Sequence, residues 1–343
     1  MPRISNSPRF RSARSIAWTI VVTWICCQPS VASEQEDNKP IVKPASTTIP
    51  PARTESDLGS DKPVTSPPTT ESEVAVGDDP MEPAPADEDD QAKQPKVEDV
   101  LRFAREGLHR IENEVQDYSC TLVRRERIDG EWPKYYQRLE AKVRHEQRVN
   151  DEVVEPFALF IEFRNPRRMQ GRQVIYVEDK WHGDLVARRG GTRSPNMTVQ
   201  LDPLSPLAMD GNRYPVTEFG IQKLAAKLIR FMETELDQED CEVKLFKNAK
   251  LEGRPCTHFQ VREKTHRPDS RFRMARVLVD NEHKVPVYYA AFGWGATEED
   301  DPVPLEEYAY INLKVNVGLT EIDFDIENPE YQFQTLEQEQ DSK

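Results

Sequence analysis

The sequence predicts an α+β domain: a strongly curved antiparallel sheet, forming a half-open β-barrel, with helices on its concave face. Three observations lead there. Apolar residues recur at helical spacing in two separated stretches, 97–118 and 217–236. Each is followed by a run of short segments of period two, broken by Gly, Pro, Asn or Asp as turn chemistry requires. The order helix, strands, helix, strands builds antiparallel meanders, whereas a parallel sheet needs strand and helix to alternate.

The ends of the chain do not belong to that domain. Arg3, Arg9, Arg11 and Arg14 precede the apolar stretch "IAWTIVVTWICC" and then Ser30-Val31-Ala32. A basic start, a short apolar core and a small-x-small end describe a secretory signal peptide over 1–32, cleaved near Ala32. Twelve helical residues reach about 18 Å, short of the roughly 30 Å hydrocarbon layer. A lipoprotein would carry its lipid on Cys27, but Trp24 is too bulky for that processing site. If the segment is retained, the protein is held next to the membrane. Residues 33–97 hold 11 prolines, 15 acids, six bases and no aromatic residue. Such a segment cannot bury enough apolar surface to offset its ordering entropy, so it reads as a disordered linker. The expected domain runs from 98 to 335, with a disordered tail over 336–343.

Within the domain, Val97, Val100, Leu101, Ala104, Leu108, Ile111, Val115 and Tyr118 form one stripe of an amphipathic helix. "YSCTLVRRERI" then alternates as a strand, turned at Asp129-Gly130. "YYQRLEAKVRHEQRV", "PFALFIEFRN", "RQVIYVE", "DLVARR" and "MTVQL" read as further strands. After Pro215 a second helix puts Ile221, Leu224, Ala225, Leu228, Met232 and Leu236 on one face, with Thr217 expected as its N-cap. "CEVKLFKNAKLEG", "PCTHFQVREK", "RFRMARVLVDN", "VPVYYAAFGW" and "EEYAYINLKVN" complete the second meander.

The chain carries a net charge of −15. No net basic stripe is available to displace counterions, so nucleic acid is not an expected partner. Cys120, Cys241 and Cys256 remain after the signal segment. With a hairpin turn at Gly253-Arg254, Cys241 would face His266 and Cys256 would face Leu251. About 33 Å of strand then separates two thiols that a disulfide needs at roughly 6 Å. Buried, unreactive thiols are the expectation.

No catalytic signature is present. There is no G-x-S-x-G, and the six histidines show neither H-E-x-x-H nor paired helical spacing, so neither a catalytic residue nor a metal or cofactor site is expected. "EEDD" at 298–301 lacks the spaced oxygen ligands of a calcium loop. In Arg124-Arg125-Glu126-Arg127, Arg124 and Glu126 share one strand face and Arg125 and Arg127 the other. A charge on the face toward the helices would need a carboxylate partner or an anionic ligand, and the favoured reading is surface ion pairs on the convex face and at the rim.

"YSCTLVRRERIDG", "EPFALFIEFRNP", "LDPLSPLAMDGNRYPVTEFGI" and "NLKVNVGLTEIDFDIENPEYQF" together resemble domain-of-unknown-function family 1571, a group of exported bacterial proteins. More distantly, the layout is similar to the LolA/LolB-like lipoprotein-carrier superfamily. That resemblance implies a half-open barrel whose helices plug a hydrophobic cavity that receives acyl chains. In such a barrel Leu122, Phe157, Leu159, Ile161, Val174, Tyr176, Val277, Val279, Tyr288, Tyr308 and Tyr310 are the candidate cavity lining. "LDPLSPLAM" reads as a flap across one mouth of the barrel. Asn212, Arg213, Tyr214 and Thr217, at a helix entrance whose free N–H groups favour an anion, are the candidate headgroup site. The competing reading pairs Arg213 with a rim carboxylate and has Asn212 close a tight turn. The expected protein is thus an exported, non-catalytic module of the periplasm or cell envelope that binds a lipid, acyl chain or lipoprotein. The alternative is an envelope structural or protein-interaction domain with a closed apolar core.

Overall fold

The computed structural model describes residues 94–334 and 336, apart from 151, 268, 269 and 298. The signal and linker expectations over 1–93, and the tail beyond 336, lie outside the described residues.

Helix α1 (Val97–Glu114) leads into β1 (Asp117–Glu126) and β2 (Gln137–Arg144). A separate two-stranded hairpin follows, β3 (Gln147–Val149) with β4 (Glu152–Glu155). The sheet resumes with β5 (Ala158–Asn165), β6 (Gln173–Val177), β7 (Leu185–Arg188) and β8 (Thr198–Leu201). A flap containing the short helix α2 (Pro206–Met209) leads to α3 (Ile221–Thr234). The second meander is β9 (Cys241–Leu251), β10 (Arg254–Glu263), β11 (Met274–Asp280), β12 (Pro286–Gly293) and β13 (Val303–Val315).

All the long strands belong to one open antiparallel sheet, ordered β8-β7-β6-β5-β2-β1-β13-β12-β11-β10-β9. The first strand of the chain pairs with the last, which welds two meanders into one wall and leaves β8 and β9 as edges. This is the open antiparallel sheet that the period-two segments predict, and every one of those segments supplies a strand.

α1 and α3 pack on each other and on the same face of the sheet. Val97, Val100 and Leu101 of α1 meet Ile229 and Met232 of α3, above Val243, Phe259 and Val279. The stripe read from the sequence thus supplies the buried face of α1, although the helix stops at Glu114. Val115 already has extended backbone, and Tyr118 is a strand residue whose side chain is fully buried.

Two local expectations need correction. Thr217 is not the N-cap of α3: it sits in a 3-10 turn, Val216–Glu218, and the helix begins after Gly220. Gly220 adopts φ 112°, and a Cβ there would stand 2.8 Å from the Tyr118 hydroxyl, so glycine is what lets the chain enter the helix. In the second meander the hairpin turns at Glu252-Gly253, with Arg254 opposite Leu251 and a bulge after Cys256. Cys256 therefore faces Ala249 and Cys241 faces Glu263, and all three described cysteines are free thiols.

The convex face is not bare. After β13, the Asp117 carboxylate accepts hydrogen bonds from the N–H groups of Val317 (2.6 Å), Gly318 (3.2 Å) and Leu319 (3.1 Å). This turns the chain back along the outside. Phe324, fully buried, then seats on Ala158, Phe160, Ile175 and Val177, and Tyr331 stacks on Phe160 with ring centroids 4.0 Å apart. β5 and β6 are consequently apolar on both faces. Among the described residues, no helix is long and apolar enough to cross a membrane.

Candidate functional site

Antiparallel register decides which side chains share the concave face. Leu122 stands opposite Tyr310 and Leu139, Leu139 opposite Phe163, and Ala141 opposite Ile161. Ile161 is opposite Val174, and Val174 opposite Ala187. Apart from Ala141, which is packed in the core, these residues form one wall of a cavity of about 500 Å³, closed on the other side by the flap and by the start of α3 through Leu207, Ala208, Val216, Phe219 and Leu224. Arg189, Met197, Leu207, Asp210 and Glu218 are its exposed lining residues and mark where it meets solvent.

One end of the cavity is polar. Arg124 and Glu126 share the concave face, where Arg124 Nη1 donates to Glu126 Oε1 at 3.2 Å. Arg124 also donates from Nε to Gln137 (2.9 Å) and from Nη2 to Asn212 Oδ1 (2.5 Å). Glu126 further accepts from the Tyr308 hydroxyl at 2.6 Å and from the Arg213 backbone N–H at 2.8 Å. Directly across the ladder from Glu126 stands Glu306, only 1% exposed, accepting from the Tyr289 hydroxyl at 3.0 Å. The surface-pair expectation for Arg124 and Glu126 is therefore wrong. The strand starts one face inward at Tyr118, and alternation carries both charges into the interior, where each is partnered. Arg125 lies on the opposite face with Glu307 at 3.3 Å.

Arg213 Nε lies 2.9 Å from Glu306 Oε2, but its N–H is directed to the Tyr214 hydroxyl at 3.2 Å. Burial first, and then the Glu306 charge, raises that hydroxyl above its ordinary range. Arg213 thus meets the carboxylate as a neighbouring charge. Burial raises the Glu306 carboxyl above its ordinary range, opposed by Tyr214, Arg213 and Lys227. Burial also lowers the Lys227 ammonium, which sits over the Tyr214 ring.

The candidate residues separate into groups. Leu122, Ile161, Val174, Tyr308 and Tyr310 line the cavity together with Asn212 and Tyr214. Phe157, Leu159 and Tyr176 lie in the solid core with Ile221. Val277 and Val279 line a smaller apolar gap of about 90 Å³ between the two helices and the sheet. Tyr288 lies opposite Leu278 and Ala309 and donates to Glu307 at 2.8 Å, so it alternates away from the cavity while Tyr289 faces it. Asn212 donates to the Ala208 and Asp210 carbonyls, so it closes the turn of the flap while bracing Arg124. Thr217 lies outside the cavity lining, and the first N–H of α3 is taken by the Tyr118 hydroxyl at 3.1 Å. One of the N–H groups expected to favour an anion there is thus taken by a protein group.

Glu126, Tyr289 and Glu306 were missed by the sequence reading. A signal existed: on a strand known to be buried, an alternating acid next to tyrosines is an internal hydrogen-bond acceptor. Among the described residues, no three His, Cys, Asp or Glu side chains are gathered so as to hold a metal ion.

Fold and cavity together define a class: an open antiparallel half-barrel with two helices on one face, around a cavity that is closed by the flap and the start of α3, apolar along its wall and charged at its inner end and at its mouth. Residues 115–333 match the family model "Protein of unknown function (DUF1571)", and the chain belongs to that family. No curated protein matches it. Among solved structures it is similar to a DUF1329 family protein from Desulfovibrio piger, at 11% identity and TM-score 0.29 over 68% of this chain and 98% of that one. A LolA superfamily protein from Nitrosomonas europaea matches at 11% identity and TM-score 0.25, over 67% and 98%. LprF from Mycobacterium bovis matches at 7% identity and TM-score 0.36, over 66% and 97%. At these scores the likenesses carry no argument about ligand or partner.

Proposed function

We propose that the domain is a non-catalytic binding module of the cell envelope whose concave cavity takes the apolar part of a lipid, acyl chain or lipoprotein. The observation that supports it is the composition of the cavity: an aliphatic wall from β1, β2, β5, β6 and β7, running to a charged end at Arg124, Glu126 and Glu306. A volume of about 500 Å³ falls in the range of small-ligand sites. The basic, apolar start of the chain and its small-x-small end support export. The amphiphile would lie with its chain along Leu122, Ile161 and Val174 and its polar end toward Tyr214 and Lys227.

A second reading has an observation in its favour. Asn212 and Arg213 spend their polar atoms on protein groups, which suits a flap fastened over a closed core in an envelope interaction domain.

Native mass spectrometry of the protein purified from its own envelope separates the two. A co-purifying amphiphile is expected, and Val174→Trp, which fills the cavity from the strand side, should abolish it. Protein that arrives empty and takes up no fluorescent fatty acid would leave only the second reading.

A further inference from the structure

Two segments of the chain, 164–172 ("RNPRRMQGR") and 188–193 ("RRGGTR"), contain seven arginines and no acid, although the whole chain carries −15. The fold brings them together. Gly191 N–H donates to the Gln170 carbonyl at 2.7 Å, and Arg172 Nε donates to the Arg189 carbonyl at 3.4 Å. The approach is so close that a Cβ on Gly190 would stand 2.1 Å from the Arg172 nitrogen, and one on Gly191 would stand 2.7 Å from the Arg168 carbonyl oxygen. Both glycines have positive φ, 66° and 72°, so the sequence is suited to holding these two loops in contact.

Most of these charges have no carboxylate partner. Arg164 is paired with Glu162 at 2.6 Å. Arg188 is held by Asn196 and Gln332, which are neutral. Among the described residues, no carboxylate forms an ion pair with Arg167, Arg168, Arg172, Arg189 or Arg193. Burial above all lowers the Arg172 guanidinium, Asp210 opposes this, and Arg168 and Arg189 add to it, which places these guanidinium groups in one another's field. Arg172 and Arg189 line the cavity. Beside them are apolar side chains left in water: Leu204 at 70% exposure, Leu207 at 64% and Met197 at 45%. Leu207 and Met197 belong to the same cavity rim, and Leu204 stands three residues before Leu207 on the flap.

We propose that this face, the arginine loops with Leu204, Leu207 and Met197, docks the domain on an anionic lipid bilayer, with the cavity mouth turned toward the lipid. A chain of net negative charge is repelled by such a surface everywhere except where positive charge is concentrated, so the rim sets the orientation as well as the attraction. The exposed leucines then enter the interface between headgroups, where they leave water, and the guanidinium groups meet lipid phosphates. The face does not depend on what fills the cavity.

The test is co-sedimentation of the full chain with vesicles of phosphatidylcholine, alone or mixed with phosphatidylglycerol. The wild type is expected to favour the mixed vesicles and to lose binding as salt rises from about 50 to about 500 mM, as the Debye length contracts. Reversing three arginines that lie outside the cavity lining (Arg167→Glu, Arg168→Glu, Arg193→Glu) should weaken binding about 100-fold or more. Leu204→Ser should weaken it several-fold at either salt. All four side chains are exposed, and circular dichroism should match the wild type. The basic, apolar residues 1–32 are present in every variant, so the difference between variants reports the rim. Equal binding of the wild type to both vesicles, or a triple variant that binds as the wild type does, overturns the proposal. Fatty-acid uptake lost with docking retained strikes the cavity reading alone, and docking lost with uptake retained in solution strikes only this one.

Discussion

Arg213 and Glu306, 93 positions apart in the sequence, stand 2.9 Å from each other at the charged end of the cavity. The pair joins the flap before α3 to the last strand of the sheet. Removing Arg213 leaves a carboxylate that is 1% exposed without its cation. Arg213→Ala should therefore lower the unfolding free energy by about 2–3 kcal/mol, below the full buried-pair cost because the arginine side chain is partly exposed. The double change Arg213→Ala with Glu306→Gln should recover part of the loss. Urea titrations of the two variants check both expectations. Additive losses would mean that the residues act independently.

Burial holds His145 at about 4 and His258 at about 4, both below the ordinary histidine range. His145 bonds through Nδ1 to the Val115 carbonyl at 2.9 Å, and its other nitrogen is buried without a partner. The unfolded chain binds these protons near pH 6.5 while the folded protein resists them until about pH 4. Stability is therefore full above about pH 6.5 and falls as pH drops toward 4. Thermal midpoints measured between pH 7.5 and pH 4.5 should decline, at values set by the histidine pKa window. His145→Asn should flatten the decline, and an unchanged slope in that variant would remove His145 as its source.

Phe324 is fully buried on the outer face of β5 and β6. Phe324→Ala should cost about 3–5 kcal/mol, the range for a large aromatic removed from a packed site. Tyr331→Ala should cost less, since that residue is partly exposed and contributes a stacked ring. Hydrogen exchange in the Phe324→Ala variant should accelerate first in residues 317–333, and uniform acceleration would show that the segment unfolds only with the whole domain.

The thiols of Cys241 and Cys256 are pushed up, by burial first and then by neighbouring carboxylates, to about 12 and about 11. Burial pushes Cys120 higher still. Thiolate is the reactive form, so at pH 7.5 these three positions should alkylate at least 100-fold more slowly in the folded protein than in denaturant, well below an unperturbed thiol near 8.5. Mass spectrometry after timed iodoacetamide labelling reads this directly. Fast labelling of Cys241 in the folded protein would show that its neighbourhood opens.

Period two and period 3.6 are local properties, so the two helices, the strands and the antiparallel class were all legible before any contact was known. Val97 to Ile111 showed its apolar stripe, and "VPVYYAAF" was read as a strand, which the structure covers on both sides. Local spacing also placed Leu122, Ile161 and Val174 on alternating positions, but alternation has two phases. Which phase faces inward is set by register with neighbours far away in the sequence. That is why Tyr288 was read as inward when Tyr289 is; Arg124 and Glu126 share the phase of Leu122, which was read as inward, and were read as outward for their charge. The same limit hid the start of α3, where a hydroxyl from β1 takes the N–H expected to be free.

The amino-acid sequence by itself thus determined the kinds of element, their order and the chemistry available to each. Tertiary structure alone decided that β1 pairs with β13, that the C-terminal segment wraps the outside, and that two arginine-rich loops share a rim. The reason is physical: hydrophobic periodicity is written within ten or so residues, whereas pairing, enclosure and the meeting of charges are settled by which distant surfaces leave water together.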